Sequence, residues 1–159
     1  DLGLDLEVEQ DLTLVAQYHL NREPARSRQR LHAKLVEEFA RSGTSSAHEA
    51  LATLPIDVVW TSNYDPLVED SFREAGRAVR VKNSSARLLE AGTKAETTVF
   101  KLHGDLADPD TIVLTRDDYR TYTRKYPGFR DRLRSDLSER TFLFLGFSFT
   151  DPHLDLILN

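Results

Sequence analysis

The sequence predicts an α/β domain in which helices flank a mostly parallel β-sheet. Two observations support this fold class. Short apolar runs rich in β-branched or aromatic residues recur along the chain, as expected for strands that are buried on both faces. A strand, a polar loop and a helix also follow one another, which is the repeating unit of doubly wound folds. With 159 residues, of which 40% are hydrophobic, the chain can build one core of ordinary size.

Five apolar runs are predicted as strands because each is short and bounded by polar or turn-forming residues. The run Thr141–Phe147 is the most apolar, so we expect it to be central in the sheet. The run Thr111–Thr115 is predicted as a fourth short strand or a hairpin partner. The other three predicted strands are Ile56–Thr61, Ala78–Lys82 and Thr97–Leu102.

Helices are predicted from apolar residues at helical spacing and from capping residues. Asp65 is expected to cap a helix at Leu67–Ala75, and Thr115 is expected to cap a helix at Arg116–Lys125. The remaining helical predictions are a stripe from Leu12 to Asn21, Pro24–Arg41, Ala47–Leu54, one turn within residues 83–94, Gly128–Glu139 and a final helix from His153.

The composition argues against several classes of function. The chain has no cysteine, which excludes disulfides, cysteine-bound zinc, iron–sulfur clusters and thiol nucleophiles. The net charge of -5 argues against general nucleic-acid binding, and no apolar run is long enough to span a membrane. Because the chain opens with Asp1 and has no methionine, we expect it to be a piece of a longer reading frame.

Polar loops follow three of the predicted strands, and we expect them to form one site. Ligands of open parallel sheets bind outside the carboxyl ends of the strands. If the three strands are parallel and adjacent, the loops TSNYD, HGD and GFSFTDPH meet in one crevice. The polar residues that would converge there are Asn63, Asp65, His103, Asp105, Ser148 and Asp151.

Three segments of the chain resemble motifs of the sirtuin (SIR2) superfamily. TSNYDPLVE resembles the family's T-x-N-[IY]-D segment, and KLHGD resembles its strand ending in His-Gly. FLGFSFTDPHL resembles the Gly-x-Ser segment in the form found in bacterial SIR2-like antiphage defence proteins, and TIVLTRDDYRTY also matches that branch. The resemblance extends from about Ala47 to the end of the chain, with the motifs in the family's order.

The resemblance implies a Rossmann-like domain that binds NAD as its substrate and cleaves the nicotinamide–ribose bond. By motif, Asn63 would position the water or the ribose, and His103 would be the general base. Breaking this bond builds oxocarbenium character on the ribose, and a histidine with a pKa of roughly 6.5 can accept a proton near neutral pH. Asn63 and His103 are therefore the predicted catalytic residues.

The same resemblance predicts four NAD-binding residues. Asp65 would hold the nicotinamide carboxamide, whereas Gly146 and Ser148 would line the adenosine-ribose part of the pocket. Ser62 stands where deacetylase sirtuins usually have glutamine, and it would be a further contact with NAD. Gly104 and Gly146 are expected to let the backbone approach the ligand closely.

Two departures from the family pattern refine the prediction. Deacetylase sirtuins carry a zinc module held by four cysteines, which this chain lacks, so we expect no zinc and favour NAD hydrolysis over deacetylation. The glycine-rich phosphate loop, Gly-Ala-Gly-x-Ser, is also missing near the N-terminus. Residues 1–159 would then be part of a single SIR2-like domain whose first βα unit lies upstream or is absent.

The expected protein is a cytoplasmic bacterial defence enzyme that depletes NAD after infection. Its control is expected to come from homo-oligomerisation, a sensor domain or a partner protein, with neither nucleic acid nor membrane bound directly. Two alternatives remain open at this point. One is a metal-dependent hydrolase, and the other is a catalytically silent scaffold that senses NAD or ADP-ribose. The ligands available to a metal would be Asp65, His103, Asp105, Asp151 and His153.

Residues without a motif receive simpler interpretations. Trp60 is predicted to lie in the core, and Tyr119 and Tyr122 are predicted to pack their helix against the sheet. The arginines at the start of the second predicted helix are interpreted as a solvated face: Arg26, Arg28 and Arg30. Four histidines have no assigned role: His19, His32, His48 and His153.

Overall fold

A computed structural model describes residues 11–22, 27–93 and 96–146 of the chain. The described residues form three strands, β1 (Val58–Thr61), β2 (Ala78–Lys82) and β3 (Glu96–Lys101). Their helices are α1 (Leu12–Arg22), α2 (Ser27–Phe39), α3 (Ser46–Thr53), α4 (Leu67–Glu74), α5 (Ser85–Leu88), α6 (Arg116–Lys125) and α7 (Pro127–Glu139). A short 3-10 helix lies at Pro109–Thr111. The predicted final helix, together with Ser148 and Asp151, lies outside the described residues.

The three strands form a parallel sheet in the order β1-β3-β2. The register places Thr61 opposite Lys101 and Lys82 opposite Phe100. Since both pairs are parallel, the carboxyl ends of all three strands lie at one edge of the sheet. The predicted α/β fold with a helix-flanked parallel sheet is therefore confirmed.

Helices cover both faces of the sheet, and β3 is therefore buried on both sides. Val99 and Phe100 are successive residues, so their side chains point to opposite faces. Val99 joins a cluster with α3 and α4, whose members are Ala52, Val68 and Phe72. Phe100 joins a larger cluster with α6 and α7, whose buried members include Leu102, Val113, Tyr122, Tyr126, Phe129 and Leu133.

Trp60 and the two tyrosines of α6 pack as predicted. The Trp60 ring stacks on the Phe100 ring with centroids 4.2 Å apart, and its indole N–H donates to the Asp136 carboxylate at 2.9 Å. Tyr122 is buried in the larger cluster, and Tyr119 packs against it. Trp60 is therefore a partly buried residue that packs against the core, and its one polar atom is satisfied by a buried carboxylate.

The capping prediction for α6 is confirmed. The Thr115 hydroxyl accepts from the Asp118 amide at 3.1 Å, and the Asp118 carboxylate accepts from the Thr115 amide at 3.0 Å. This reciprocal pair is a capping box. The N-cap of α4 is Pro66 and not the predicted Asp65. Asp65 lies one residue earlier, and its carboxylate accepts from the Leu67 amide at 3.1 Å.

Two strand predictions are wrong. Residues 112–114 contain no strand, although Ile112 and Val113 are buried. Their backbone groups bond to loops and side chains and not to the backbone of a neighbouring strand. The Val113 amide, for example, donates to the His103 carbonyl at 2.9 Å. Residues 141–145 also contain no strand, and Leu143 is 66% exposed. Within the described part of the chain, no neighbouring strand pairs with this apolar segment.

None of the described helices is long and apolar enough to cross a membrane.

Candidate functional site

The loops that follow β1 and β3 lie side by side at the carboxyl edge of the sheet. β1 and β3 are adjacent, and hydrogen bonds continue between the two segments beyond the strands. The Leu102 amide donates to the Thr61 carbonyl at 2.8 Å, and the Leu106 amide donates to the Tyr64 carbonyl at 3.1 Å. The structure therefore brings the predicted residues Ser62, Asn63 and Asp65 onto a loop adjacent to the one that carries His103.

The three predicted residues of the β1 loop differ in exposure. Asn63 is exposed, and its backbone amide donates to the Thr61 hydroxyl at 3.1 Å, which folds the loop back on the strand end. Ser62 is half-buried. Asp65 is buried, and its carboxylate accepts from the Leu67 amide. Asn63 is thus open to a ligand, whereas one carboxylate oxygen of Asp65 already bonds to the start of α4.

His103 is only 5% exposed and lies among aromatic rings. Its ring centroid is 5.3 Å from that of Tyr119 and 6.4 Å from that of Tyr64, both in tilted arrangements. Tyr64 is itself held, because its hydroxyl donates to the Val113 carbonyl at 2.7 Å. Packing on these rings restricts the orientation of the imidazole, which a general base requires.

Gly104 turns the backbone immediately after His103. Its φ of +88° belongs to the left-handed region, and a Cβ at this position would lie 2.3 Å from the carbonyl oxygen of Thr111. The chain's own backbone therefore requires a glycine at position 104, and the close approach of a ligand to Gly104 stays a prediction. Gly146 also has a positive φ, of +61°, and no atom lies within 4 Å of a Cβ built there.

Lys101 is a buried residue of this edge that the sequence reasoning missed. Its side chain is completely buried, and its ammonium donates to the Asp65 carbonyl at 2.7 Å and to the Tyr64 carbonyl at 3.0 Å. It also pairs with the Glu69 carboxylate at 2.8 Å and lies 3.6 Å from that of Asp105. A lysine directly after the apolar pair Val99–Phe100, two residues before His103, was the available signal.

Helix α2 contacts the segment that follows His103. The Arg28 guanidinium donates to the Ile112 carbonyl at 2.6 Å and pairs with Asp118 at 3.2 Å. His32 hydrogen-bonds through Nε2 to the Leu106 carbonyl at 2.9 Å. Arg28 is exposed, as predicted for a solvated face, and its guanidinium also bonds to the segment after His103. His32, which has no role assigned from the sequence, has a structural partner. Both contacts join positions more than 70 residues apart, which local sequence patterns do not encode.

The end of β2 adds two buried polar residues at the same edge. Lys82 donates to the carbonyls of Arg87 and Glu90, which end the turn of α5. Burial lowers the pKa of Lys82 below its ordinary value. Asn83 is buried, and its side-chain oxygen has no hydrogen-bond partner among the described residues. The third strand therefore also ends in polar residues at the edge of the sheet where ligands of such folds bind.

Among the predicted metal ligands, Asp65, His103 and Asp105 are described, whereas Asp151 and His153 are not. Asp105 is buried, and its carboxylate accepts from the Ala107 amide at 2.9 Å in a tight turn. In the part of the chain that the structure covers, no group of three or more histidine, aspartate or glutamate side chains is arranged to hold a metal ion.

The fold and these motifs define a member of a known family. The sequence profile of the SIR2-like domain matches residues 57–159. This match covers more than half of the chain, so the chain belongs to the SIR2-like domain family, and the resemblance predicted from its motifs is confirmed.

The chain is also similar to individual bacterial proteins. The chain is 44% identical over its whole length to "NAD(+) hydrolase ThsA" of Enterococcus faecium, covering 34% of that protein. It is 41% identical over its whole length to the protein of the same name in Bacillus cereus (strain MSX-D12), covering 33% of it. A more distant relative is "Defense-associated sirtuin 2" of Bacillus subtilis, 26% identical over 73% of this chain and 12% of that protein. The chain thus spans about a third of the length of the first two relatives.

Proposed function

We propose that this chain forms the catalytic part of a bacterial defence enzyme that hydrolyses NAD at its nicotinamide–ribose bond. The observation that supports this most directly is the adjacency of the Asn63 and His103 loops at the carboxyl edge of a parallel sheet. The names of the two similar NAD(+) hydrolases support the same reaction and substrate. NAD enters as the substrate, and the proposal requires no zinc.

In the proposed reaction, water attacks the anomeric carbon of the ribose attached to nicotinamide. The carbon–nitrogen bond breaks, its electron pair leaves with nicotinamide as a neutral base, and the water gives up one proton. His103 would accept that proton from the water or from a ribose hydroxyl, while Asn63 would orient the water through its amide. The products are ADP-ribose, nicotinamide and a proton, so atoms and charge balance.

The remaining site residues are proposed to bind NAD around the breaking bond. Asp65 would hold the nicotinamide carboxamide with the carboxylate oxygen that does not accept from the Leu67 amide. Ser62 lies on the same loop and would contact the nearby ribose. Gly146 and Ser148 would line the adenosine-ribose part of the pocket.

We also propose a setting for this activity. Residues 1–159 would form part of one SIR2-like domain, acting in the cytoplasm after infection is sensed. A homo-oligomer, a sensor domain or a partner protein would control it, because uncontrolled hydrolysis would destroy a central cofactor. The defence-related name of one bacterial relative supports this setting.

The experiment that tests the proposed function measures nicotinamide release by the protein that contains this chain. We expect Asn63→Ala and His103→Ala each to lower the rate by roughly 100-fold or more, since each removes a group that acts on the reacting atoms. Matched controls are Asn21→Ala and His19→Ala, which change the same residue types on α1 and should retain activity.

Each result of this experiment has a defined meaning. Wild-type rates in both site variants would refute the assignment of Asn63 and His103. A wild-type protein that binds NAD but releases no nicotinamide would indicate the silent sensing scaffold. Release that a chelator abolishes and a divalent metal restores would indicate the metal-dependent hydrolase.

A further inference from the structure

The Lys101 ammonium lies beneath both loops of the candidate site and contacts each of them. Its bonds to the Tyr64 and Asp65 carbonyls hold the two residues that follow Asn63. Lys101 also ends β3, two residues before His103. We propose that Lys101 is a positioning residue that keeps the Asn63 loop in register with His103. This inference rests on the proposed NAD hydrolysis at the same site.

The donor geometry of Lys101 supports a positioning role. An ammonium has three N–H donors, and three acceptors lie within 3.0 Å of this one: the Tyr64 carbonyl, the Asp65 carbonyl and the Glu69 carboxylate. The Asp105 carboxylate lies further away, at 3.6 Å. With all three donors directed at partners on the β1 loop and α4, the ammonium fixes the loop relative to the end of β3.

The burial of the Lys101–Glu69 ion pair also favours a role in positioning the loop over a role in stabilising the fold. The Lys101 side chain is 0% exposed and that of Glu69 is 2% exposed. Removing two charges from water is costly, and buried ion pairs often stabilise a fold no better than apolar residues of similar size. If Lys101 and Glu69 served stability alone, two apolar residues of similar size could replace them. An apolar pair would not bond to the two loop carbonyls.

Tyr64 links this tether to the catalytic histidine. Its carbonyl accepts from both Lys101 and the Leu106 amide, and its ring lies against the His103 ring. A shift of Tyr64 would therefore move the residue after Asn63 and one wall of the His103 pocket together. Misplacement of reacting groups by about 1 Å can lower a rate by about 100-fold.

Glu69 has a separable role as the counter-charge. Only one of its carboxylate oxygens bonds to Lys101, and the other has no hydrogen-bond partner among the described residues. A glutamine at this position would keep an acceptor for the ammonium and leave the two loop contacts in place. We therefore expect the tether to depend on Lys101 and to survive the loss of the Glu69 charge.

The test compares two variants of the protein that contains this chain. The double variant Lys101→Met/Glu69→Gln removes the tether together with the charge of its nearest carboxylate partner, so the net charge of the cluster is unchanged. The single variant Glu69→Gln keeps the tether. A matched control, Arg80→Met/Glu96→Gln, removes the ion pair of 2.7 Å between β2 and the amino end of β3. All rates are measured well below the melting temperature of each variant.

Two readouts separate positioning from folding. We expect kcat for nicotinamide release to fall about 10- to 100-fold in the tether-free double variant, with a smaller change in KM. Hydrogen exchange of the amides at residues 62–65 should become faster in the same variant. Glu69→Gln and the β2–β3 control pair should stay within about threefold of the wild-type kcat.

The inference is overturned if the tether-free variant keeps wild-type kcat and exchange rates, or if the control pair loses as much activity. If the wild-type protein releases no nicotinamide, the proposed function fails. Hydrogen exchange at residues 62–65 then still tests whether Lys101 holds the loop. Faster exchange at residues 62–65 in the tether-free variant alone supports the tether, and equal exchange in all variants refutes it.

Discussion

At the residue scale, Gly104 shows how backbone geometry positions His103. An alanine here meets two obstacles: the positive φ and the backbone of Thr111, which lies 2.3 Å from the Cβ position. We expect Gly104→Ala to lower the free energy of unfolding by about 2–5 kcal/mol, as the sum of backbone strain and overpacking. Urea unfolding of the chain measures this loss.

Gly76 is the matched control for Gly104. It has a similar φ of +78°, but nothing lies within 4 Å of a Cβ built there. Gly76→Ala should therefore cost only the backbone strain, about 1 kcal/mol. Equal losses in the two variants would contradict the claim that contact with residue 111 makes the glycine necessary.

The sequence predicts which loops lie together where a polar segment follows a recognisable strand. Asn63 and His103 were predicted from strand ends and motif resemblance, and their loops do lie together. Lys101 and His32 could not be assigned in this way, because their roles depend on carbonyl groups that only the folded backbone brings near them. Sequence patterns identify side-chain types but not the backbone acceptors around them.

At the element scale, the start of α6 predicts a pH-dependent contribution to stability. Burial, the largest single influence, raises the pKa of Asp118, but hydrogen bonds from the Thr115 and Leu114 amides and the Arg28 charge together lower it below its ordinary value of 3.8. A lowered folded-state pKa adds stability that is fully present above pH 3.8 and is lost as the pH falls through the folded-state value.

Asp118→Asn tests this contribution. At neutral pH we expect the variant to be less stable by about 1 kcal/mol, because the amide keeps only part of the capping box. The difference from wild type should shrink as the pH falls below 3.8. Thermal unfolding across this pH range measures both effects, and Asp110→Asn, at an exposed position in a nearby loop, is the control. A difference that is independent of pH would contradict the assignment.

The two wrong strands show what apolar patterning leaves open. The runs at residues 111–115 and 141–147 resemble buried strands, and Val113 is indeed buried. Apolar patterning predicts burial, whereas a strand also requires a partner backbone in register. Val113 finds its partner in the His103 carbonyl of a loop, and Leu143 has no paired strand in the described part of the chain. The strand at Ala78–Lys82, which pairs with β3, was predicted with the correct bounds.

At the scale of the whole molecule, β3 connects the two hydrophobic clusters that the described residues form. Val99 packs into the cluster of α3 and α4, and Phe100 packs into the cluster of α6 and α7. Since these residues are adjacent in one strand, neither cluster can lose β3 without exposing the other. We therefore expect the sheet and both helical layers to unfold in one cooperative transition.

Phe72→Ala tests this coupling across the sheet. Phe72 is fully buried in the α3–α4 cluster, so we expect its truncation to lower the free energy of unfolding by about 3–5 kcal/mol. The single tryptophan, Trp60, stacks on Phe100 on the opposite side of the sheet and reports on the other cluster. Its fluorescence transition should shift by the same amount as the far-UV circular dichroism transition.

The exposed Leu89 supplies the control for this experiment. Leu89 is 87% exposed, so Leu89→Ala should change the unfolding free energy by no more than about 0.5 kcal/mol. If Phe72→Ala instead left the Trp60 transition in place and split the circular dichroism curve in two, the clusters would unfold separately. Coincident shifts would mean that the Lys101 tether is attached to a strand whose position both halves of the core maintain.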